Sequence, residues 1–261
     1  MTTKPSKLGG IEITTHIVDT SQHKAVRVAG FMFLFSLIVP LLNWTFVLSK
    51  FNIAGDPIAT AKNIMANELL FRFGITIELI MSVGLIVLAL ALYIILKPVN
   101  KNLALFALLL KLVEATIMAV TVLVPFIALQ ILNRDTYLTV FTPEQLQFPI
   151  GLIFNSHTAI TSIPMVFLGL DMMIFSYLFF KSKYIPKILA GFGILSFALI
   201  FIHALMYIIA PQYAMMPITQ IIFWPPSGLF EIIIGIWLLS KGIKVQQGDI
   251  KAVSKDEFDR A

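Results

Sequence analysis

Apolar residues gather into six nearly unbroken stretches, at about 26–48, 68–96, 103–132, 147–180, 186–210 and 217–241. Each is longer than the roughly 18–20 residues that a helix needs to cross a bilayer core. The polar positions between them are short and turn-like. The pattern predicts an all-α, polytopic membrane protein with six transmembrane helices in one bundle. A polar N-terminal tail (1–24) precedes a membrane domain (25–244), and a charged C-terminal tail (245–261) follows it. The long polar lead, with no small-residue cleavage site after the first apolar run, does not read as a cleaved signal peptide. Before the second span, Asp56 and Pro57 read as N-cap and first residue of a short interfacial helix. Before the fourth, Thr142 and Gln145 stand at capping-box spacing around Pro143. The sixth span contains FWPPSGLFE (223–231), where two prolines without N–H groups predict a helix break and Ser227-Gly228 a fresh start.

Charge adds orientation. Lys24, Arg27, Lys97, Lys101, Lys181, Lys183, Lys187, Lys241 and Lys244 flank one set of span ends, against Lys50, Lys62 and Arg134 at the other. Cytoplasmic loops are the ones enriched in Lys and Arg, so both termini and the loops around Lys97 and Lys183 are expected in the cytoplasm. The expected location is a bacterial cytoplasmic (inner) membrane, crossed several times, with the lipid bilayer as principal partner. Composition agrees: 58% of residues are hydrophobic and only 13% charged, with 22 Phe. The net charge of +5 is accounted for by the asymmetry and by attraction to anionic lipid, so no nucleic-acid partner is expected. With no cysteine in the chain there is neither a disulfide nor a thiolate metal site.

Four strings, ANELLFR (66–72), LYIILKPVNKNLALFALLLKLVEA (92–115), YLFFKSKYIPKILAGFGIL (177–195) and GLFEIIIGIWLLSKG (228–242), resemble domain-of-unknown-function family 4386, a group of bacterial integral membrane proteins. The similarity runs over about residues 25–244. It implies a multi-span fold and brings no activity, substrate or cofactor with it. One position departs from the family pattern: where a His is expected in the fourth span, this chain reads FLGLDMM, with Asp171.

The candidate chemistry lies in charges placed where everything around them avoids water. LLLKLVEATIM (108–118) puts Lys111 and Glu114 in the middle of the third span. A central charge costs about 2.5–3.5 kcal/mol on insertion scales and each Leu, Ile or Phe returns about 0.3–0.6, so the helix still inserts. Three residues apart on one face, the two charges can neutralise each other, as can Glu68 and Arg72, four apart. With Lys111 and Arg72 so paired, Glu78, Asp171 and Glu231 have no cation left. A buried carboxylate without one protonates, binds a cation or faces water. A shared polar cavity, with Arg72 and Lys111 distributed among several acids, accommodates all of them.

Helical periodicity aligns His157, Thr161, Pro164 and Asp171 in the fourth span, Ser196, His203 and Tyr207 in the fifth, and Ser227, Glu231 and Gly235 in the sixth. Asn155 sits to the side of its stripe. His157 and His203 stand at similar depths and invite a bis-His haem or the start of a zinc site, but no third ligand at metal spacing accompanies them. No metal site is assigned and the cofactor question stays open. The expected ligand-binding set is Arg72, Glu78, Lys111, Glu114, His157, His203 and Glu231. The expected function is binding or translocation of a small solute or lipid through a polar intramembrane cavity opening toward the outer leaflet, linked to a proton or cation. An intramembrane enzyme acting on lipid, possibly with metal or haem, and an accessory structural subunit are the alternatives.

Overall fold

The structure, a computed structural model, describes residues 20–51, 53, 56–132, 142, 145 and 157–243. The tails, Arg134, Tyr137, Asn155 and the first part of the fourth span lie outside these residues, as does the side chain of His157. The described residues are helical, with no strand among them. The helices are α1 (Thr20–Phe46), α2 (Pro57–Ala66), α3 (Glu68–Leu96), α4 (Lys101–Leu132), α5 (His157–Ser182), α6 (Lys187–Ile209), α7 (Pro211–Ala214), α8 (Pro217–Phe223) and α9 (Pro225–Ser240), with a 3₁₀ turn at Leu48–Lys50. Six spans, with α8 and α9 together forming the last, are long and apolar enough to cross a membrane.

The expected helix starts hold. Asp56 accepts from the Ala59 N–H at 2.9 Å with Pro57 opening α2. The Thr142 N–H donates to Gln145 Oε1 at 2.8 Å while the Gln145 N–H donates to Thr142 Oγ1 at 3.3 Å, the reciprocal bonds of a capping box. The proline pair behaves differently from expectation. Pro225 and Pro226 occupy the first two positions of α9, where a missing N–H is tolerated. Trp224 keeps helical torsions (φ −87°, ψ −46°) and its N–H still donates to the Gln220 carbonyl at 3.2 Å. The last span is therefore kinked at Trp224 and not unwound. Ser227 is no N-cap: its hydroxyl donates back to the Trp224 carbonyl at 2.8 Å.

The six spans close into a ring in chain order. α1 packs on α3, α3 on α4, α4 on α5, α5 on α6, α6 on α9, and α9 returns to α1. The closing contact depends on two glycines. A Cβ on Gly30 would stand 2.9 Å from the Gly235 carbonyl, and one on Gly235 would meet Leu34 at 2.8 Å. Small residues at such crossings let two backbones approach in a medium where the hydrophobic effect does not drive helices together. Gln22 Nε2 donates to the Ile95 carbonyl at 3.0 Å, tying the start of α1 to the end of α3. At the same end, α9 finishes in a 6→1 bond from the Gly242 N–H to the Trp237 carbonyl, with Gly242 in the left-handed region (φ 67°).

This end of the ring carries Lys24, Arg27, Lys97, Lys101, Lys181, Lys183, Lys187 and Lys241, all exposed. Its interior is a large apolar cluster that includes Phe33, Leu92, Ile95, Phe175, Phe179, Phe197 and Phe230. A smaller cluster of Phe51, Ile64, Phe71, Ile75, Val122 and Leu129 closes the opposite end. The outer faces are apolar too, with Ile188, Ile209 and Leu69 exposed at 89%, 79% and 70%. Such a surface suits acyl chains and not water.

Candidate functional site

A layer of buried charge lies between the two apolar clusters. Lys111 is ten residues into α4, and Asp171 is eleven residues before the end of α5. At 1.5 Å per residue both lie about 15–17 Å from the lysine-rich end, near the middle of a hydrocarbon core roughly 30 Å thick. Because α4 and α5 are antiparallel neighbours, equal depth brings these residues together. Lys111 Nζ reaches Glu114 Oε2 at 2.8 Å on its own helix and Asp171 Oδ1 at 3.0 Å on the next. The three residues are 1%, 2% and 0% exposed. Lys111 thus has the partner from another helix that a shared site requires, in addition to the same-helix partner.

The acids exceed the base. The Glu114 and Asp171 carboxyls flank the same ammonium, at 2.8 and 3.0 Å. Neither Asp171 oxygen has a hydrogen-bond partner in the protein, because the 3.0 Å approach to Lys111 is an ion-pair contact with the wrong angle for one. Glu231, partly buried, lies nine residues before the end of α9 at Ser240, about 13–14 Å from the lysine-rich end at 1.5 Å per residue and so at nearly the depth of Lys111. Its Oε2 accepts from Ser36 Oγ of α1 at 3.4 Å, while the same hydroxyl also donates to the Phe33 carbonyl at 3.0 Å. Four helices of the ring, α4, α5, α9 and α1, contribute to this layer. Removing one partner from such a group leaves an uncompensated buried charge and costs about 3–5 kcal/mol.

The remaining expected residues lie elsewhere. Arg72 Nε pairs with Glu68 Oε1 at 2.6 Å, one turn away on α3, with both side chains about a third exposed (35% and 34%). For this pair the same-helix alternative holds: the charges sit near the helix start, where solvent and headgroups reach them. Glu78 is partly exposed, and its carbonyl accepts from Ser82 Oγ at 3.1 Å. It lies eighteen residues from the end of α3 at Leu96, about 12 Å farther out than Lys111 at 1.5 Å per residue.

His203 is buried nearer the other end of α6. Its Nε2 is 3.2 Å from the Ala214 carbonyl, which also accepts from Gln220 Nε2 at 2.8 Å. Its ring meets Trp224 edge-on at 5.6 Å. Beside it is a cavity of about 70 Å³ lined by Thr161, Ser162, Tyr207 and Gln220 among others. None of Lys111, Glu114, Asp171 and Glu231 lines this cavity, so the charged layer and the chamber beside His203 do not share one lining. Among the described residues no three of His, Asp or Glu converge as metal ligands.

Two members of the layer were absent from the expected ligand set. Asp171 was recognised as a mid-span carboxylate but not joined to Lys111, although their matching depths carry that signal. Ser36 has no sequence signal, since a lone Ser in an apolar span most often bonds its own helix. Comparison with curated proteins and with solved structures gives no match. The family model described as Domain of unknown function (DUF4386) matches residues 28–242, which include every residue of the charged layer. The resemblance seen in the sequence is therefore one of descent, and the chain belongs to domain-of-unknown-function family 4386.

Proposed function

We propose that this protein binds or translocates a small solute or lipid within the membrane, at the layer built on Lys111, Glu114, Asp171 and Glu231. The observation that carries the reading is the mismatch of charge: one ammonium faces two carboxyls, all three side chains buried, and an Asp171 oxygen is left without a donor. A layer serving only to hold helices together is expected to have matched charges or none, because apolar residues of the same volume are often equally or more stable. The surplus of acid suits a partner that is cationic or rich in hydrogen-bond donors, or a proton taken up alongside the solute. The kink at Trp224 gives α9 freedom to move Glu231 relative to α4, and the chamber beside His203 supplies space toward the far end. The basic end is read as cytoplasmic, in a bacterial inner membrane.

The test is mass spectrometry of small molecules and lipids carried through purification, on the wild type and on Glu231→Gln. Glu231 is partly buried and its substitution preserves shape, so the variant is expected to remain folded with an unchanged melting temperature in detergent. It should retain at least tenfold less of the co-purified species, a loss of about 1.4 kcal/mol. Equal occupancy in the two proteins contradicts the reading and favours an accessory subunit whose charges fasten helices.

A further inference from the structure

We propose that the charged layer holds one exchangeable proton, carried between the carboxyl groups of Glu114 and Asp171, and that Glu231 is the group through which it enters and leaves. The inference rests on the reading of this layer as the working site and names what the site is coupled to. Lys111, Glu114 and Asp171 are all nine-tenths or more enclosed, so their charges must nearly balance among themselves. One ammonium offsets one carboxylate. The second acid needs another positive charge, and the absence of three converging His, Asp or Glu ligands among the described residues leaves little to hold a metal cation. A proton meets the geometry. The Glu114 and Asp171 carboxyls meet on one ammonium, 2.8 and 3.0 Å from its nitrogen, and Asp171 has an oxygen with no donor. An O–H between the two acids satisfies that oxygen and reduces the trio to one cation against one anion.

The surroundings supply a single route of matching chemistry. On α9, Glu231 stands at nearly the depth of Lys111, nine residues before the helix end at Ser240, and is the partly exposed member of the group. From α1 the facing group is the Ser36 hydroxyl, which does not titrate in the accessible range. On α3 the carboxyl nearest in depth is Glu78, about 12 Å farther out, with Tyr93 about 10 Å nearer the lysine-rich end, and on α6 the nearest group is His203, about 9 Å farther out, at 1.5 Å per residue. In the transfer a proton leaves a Glu231 carboxyl oxygen and bonds to a carboxylate oxygen of the Glu114–Asp171 pair. Glu231 is left as a carboxylate, Lys111 stays an ammonium, and no electron changes hands.

Infrared spectroscopy of the purified protein reads this proton through the carbonyl stretch of an un-ionised carboxylic acid. At neutral pH, where exposed Asp and Glu are ionised, the wild type should show an acid band. Carbon-13 labelling of the Asp or Glu carboxyls should move it, and Asp171→Asn or Glu114→Gln should abolish it. In Glu231→Gln the band should persist, with hydrogen–deuterium exchange slowed about tenfold to a hundredfold, as when a positioned proton-transfer group is removed. If Asp171→Asn does not fold, the labelled wild type decides alone. No acid band in the wild type at neutral pH overturns the proposal, as does a band that survives both Asp171→Asn and Glu114→Gln. Exchange equally fast in Glu231→Gln overturns the assignment of Glu231. An acid band with ligand occupancy indifferent to Glu231→Gln keeps the proton and removes the solute reading, whereas lost occupancy without an acid band does the reverse.

Discussion

Lys111 is the one cation within contact distance of Asp171 in this layer, and its environment sets what substitution does. With the ammonium gone, Glu114 and Asp171 are two enclosed acids that have lost the cation they share. Lys111→Met should lower stability by about 3–5 kcal/mol, the cost of leaving buried charge unpaired, read as a lower midpoint of thermal unfolding in detergent. Adding Asp171→Leu to that variant should recover most of the loss, because contacting residues do not act additively. A variant Lys111→Met as stable as the wild type contradicts the ion-pair geometry. Half of this arrangement was legible along the chain. Lys111 and Glu114, three residues apart, could be paired from helical periodicity alone. The contact with Asp171 crosses between helices, and periodicity within one helix says nothing about which neighbour a side chain meets. For Arg72 both signals were on the chain: its four-residue spacing to Glu68 and its place near the outer end of the span point to the same-helix pair that is found.

Among elements, the crossing of α1 and α9 determines whether Glu231 reaches the layer at all. Gly30 and Gly235 allow the two backbones to touch, and Ser36 lies less than two turns beyond Gly30 to meet Glu231. Gly30→Leu puts a branched side chain against the Gly235 carbonyl, so the helices must separate. The expected outcome is a melting temperature lower by several degrees and co-purified ligand reduced as strongly as in Glu231→Gln, although no charge has changed. A variant with normal stability and occupancy shows that this crossing does not position the site. The glycine pair was not visible as such in the sequence, because a glycine in a membrane helix signals close approach without naming its partner. The proline pair shows the opposite failure. Its missing N–H groups were plain, but the residue before them could not be assigned its torsions, and Trp224 turned out to continue the helix through a kink.

At the scale of the whole molecule, six spans closed in chain order place every lysine-rich connection at one end, and their number and approximate limits were legible because bilayer thickness fixes the length of each apolar run. The proposed orientation, with the basic loops in the cytoplasm, rests on the rule that such loops are retained there. With no native cysteine, Lys183→Cys should resist a membrane-impermeant thiol reagent in intact cells and react after lysis, while Lys62→Cys reacts in both. Labelling of position 183 from outside inverts the orientation. The central claim is that the buried layer is a working site and not a fastener, and one measurement addresses it directly. Lys111→Met, Glu114→Leu and Asp171→Leu combined remove all three enclosed charges at once, leaving in the layer only the partly exposed carboxyl of Glu231, and packing volume is nearly kept. Such replacement of a buried charged group is often neutral or stabilising by about 1–4 kcal/mol. Ligand mass spectrometry on this triple variant, beside its melting curve, should find a folded protein with at least wild-type stability that no longer carries the co-purified species. A folded triple variant with wild-type occupancy contradicts the account.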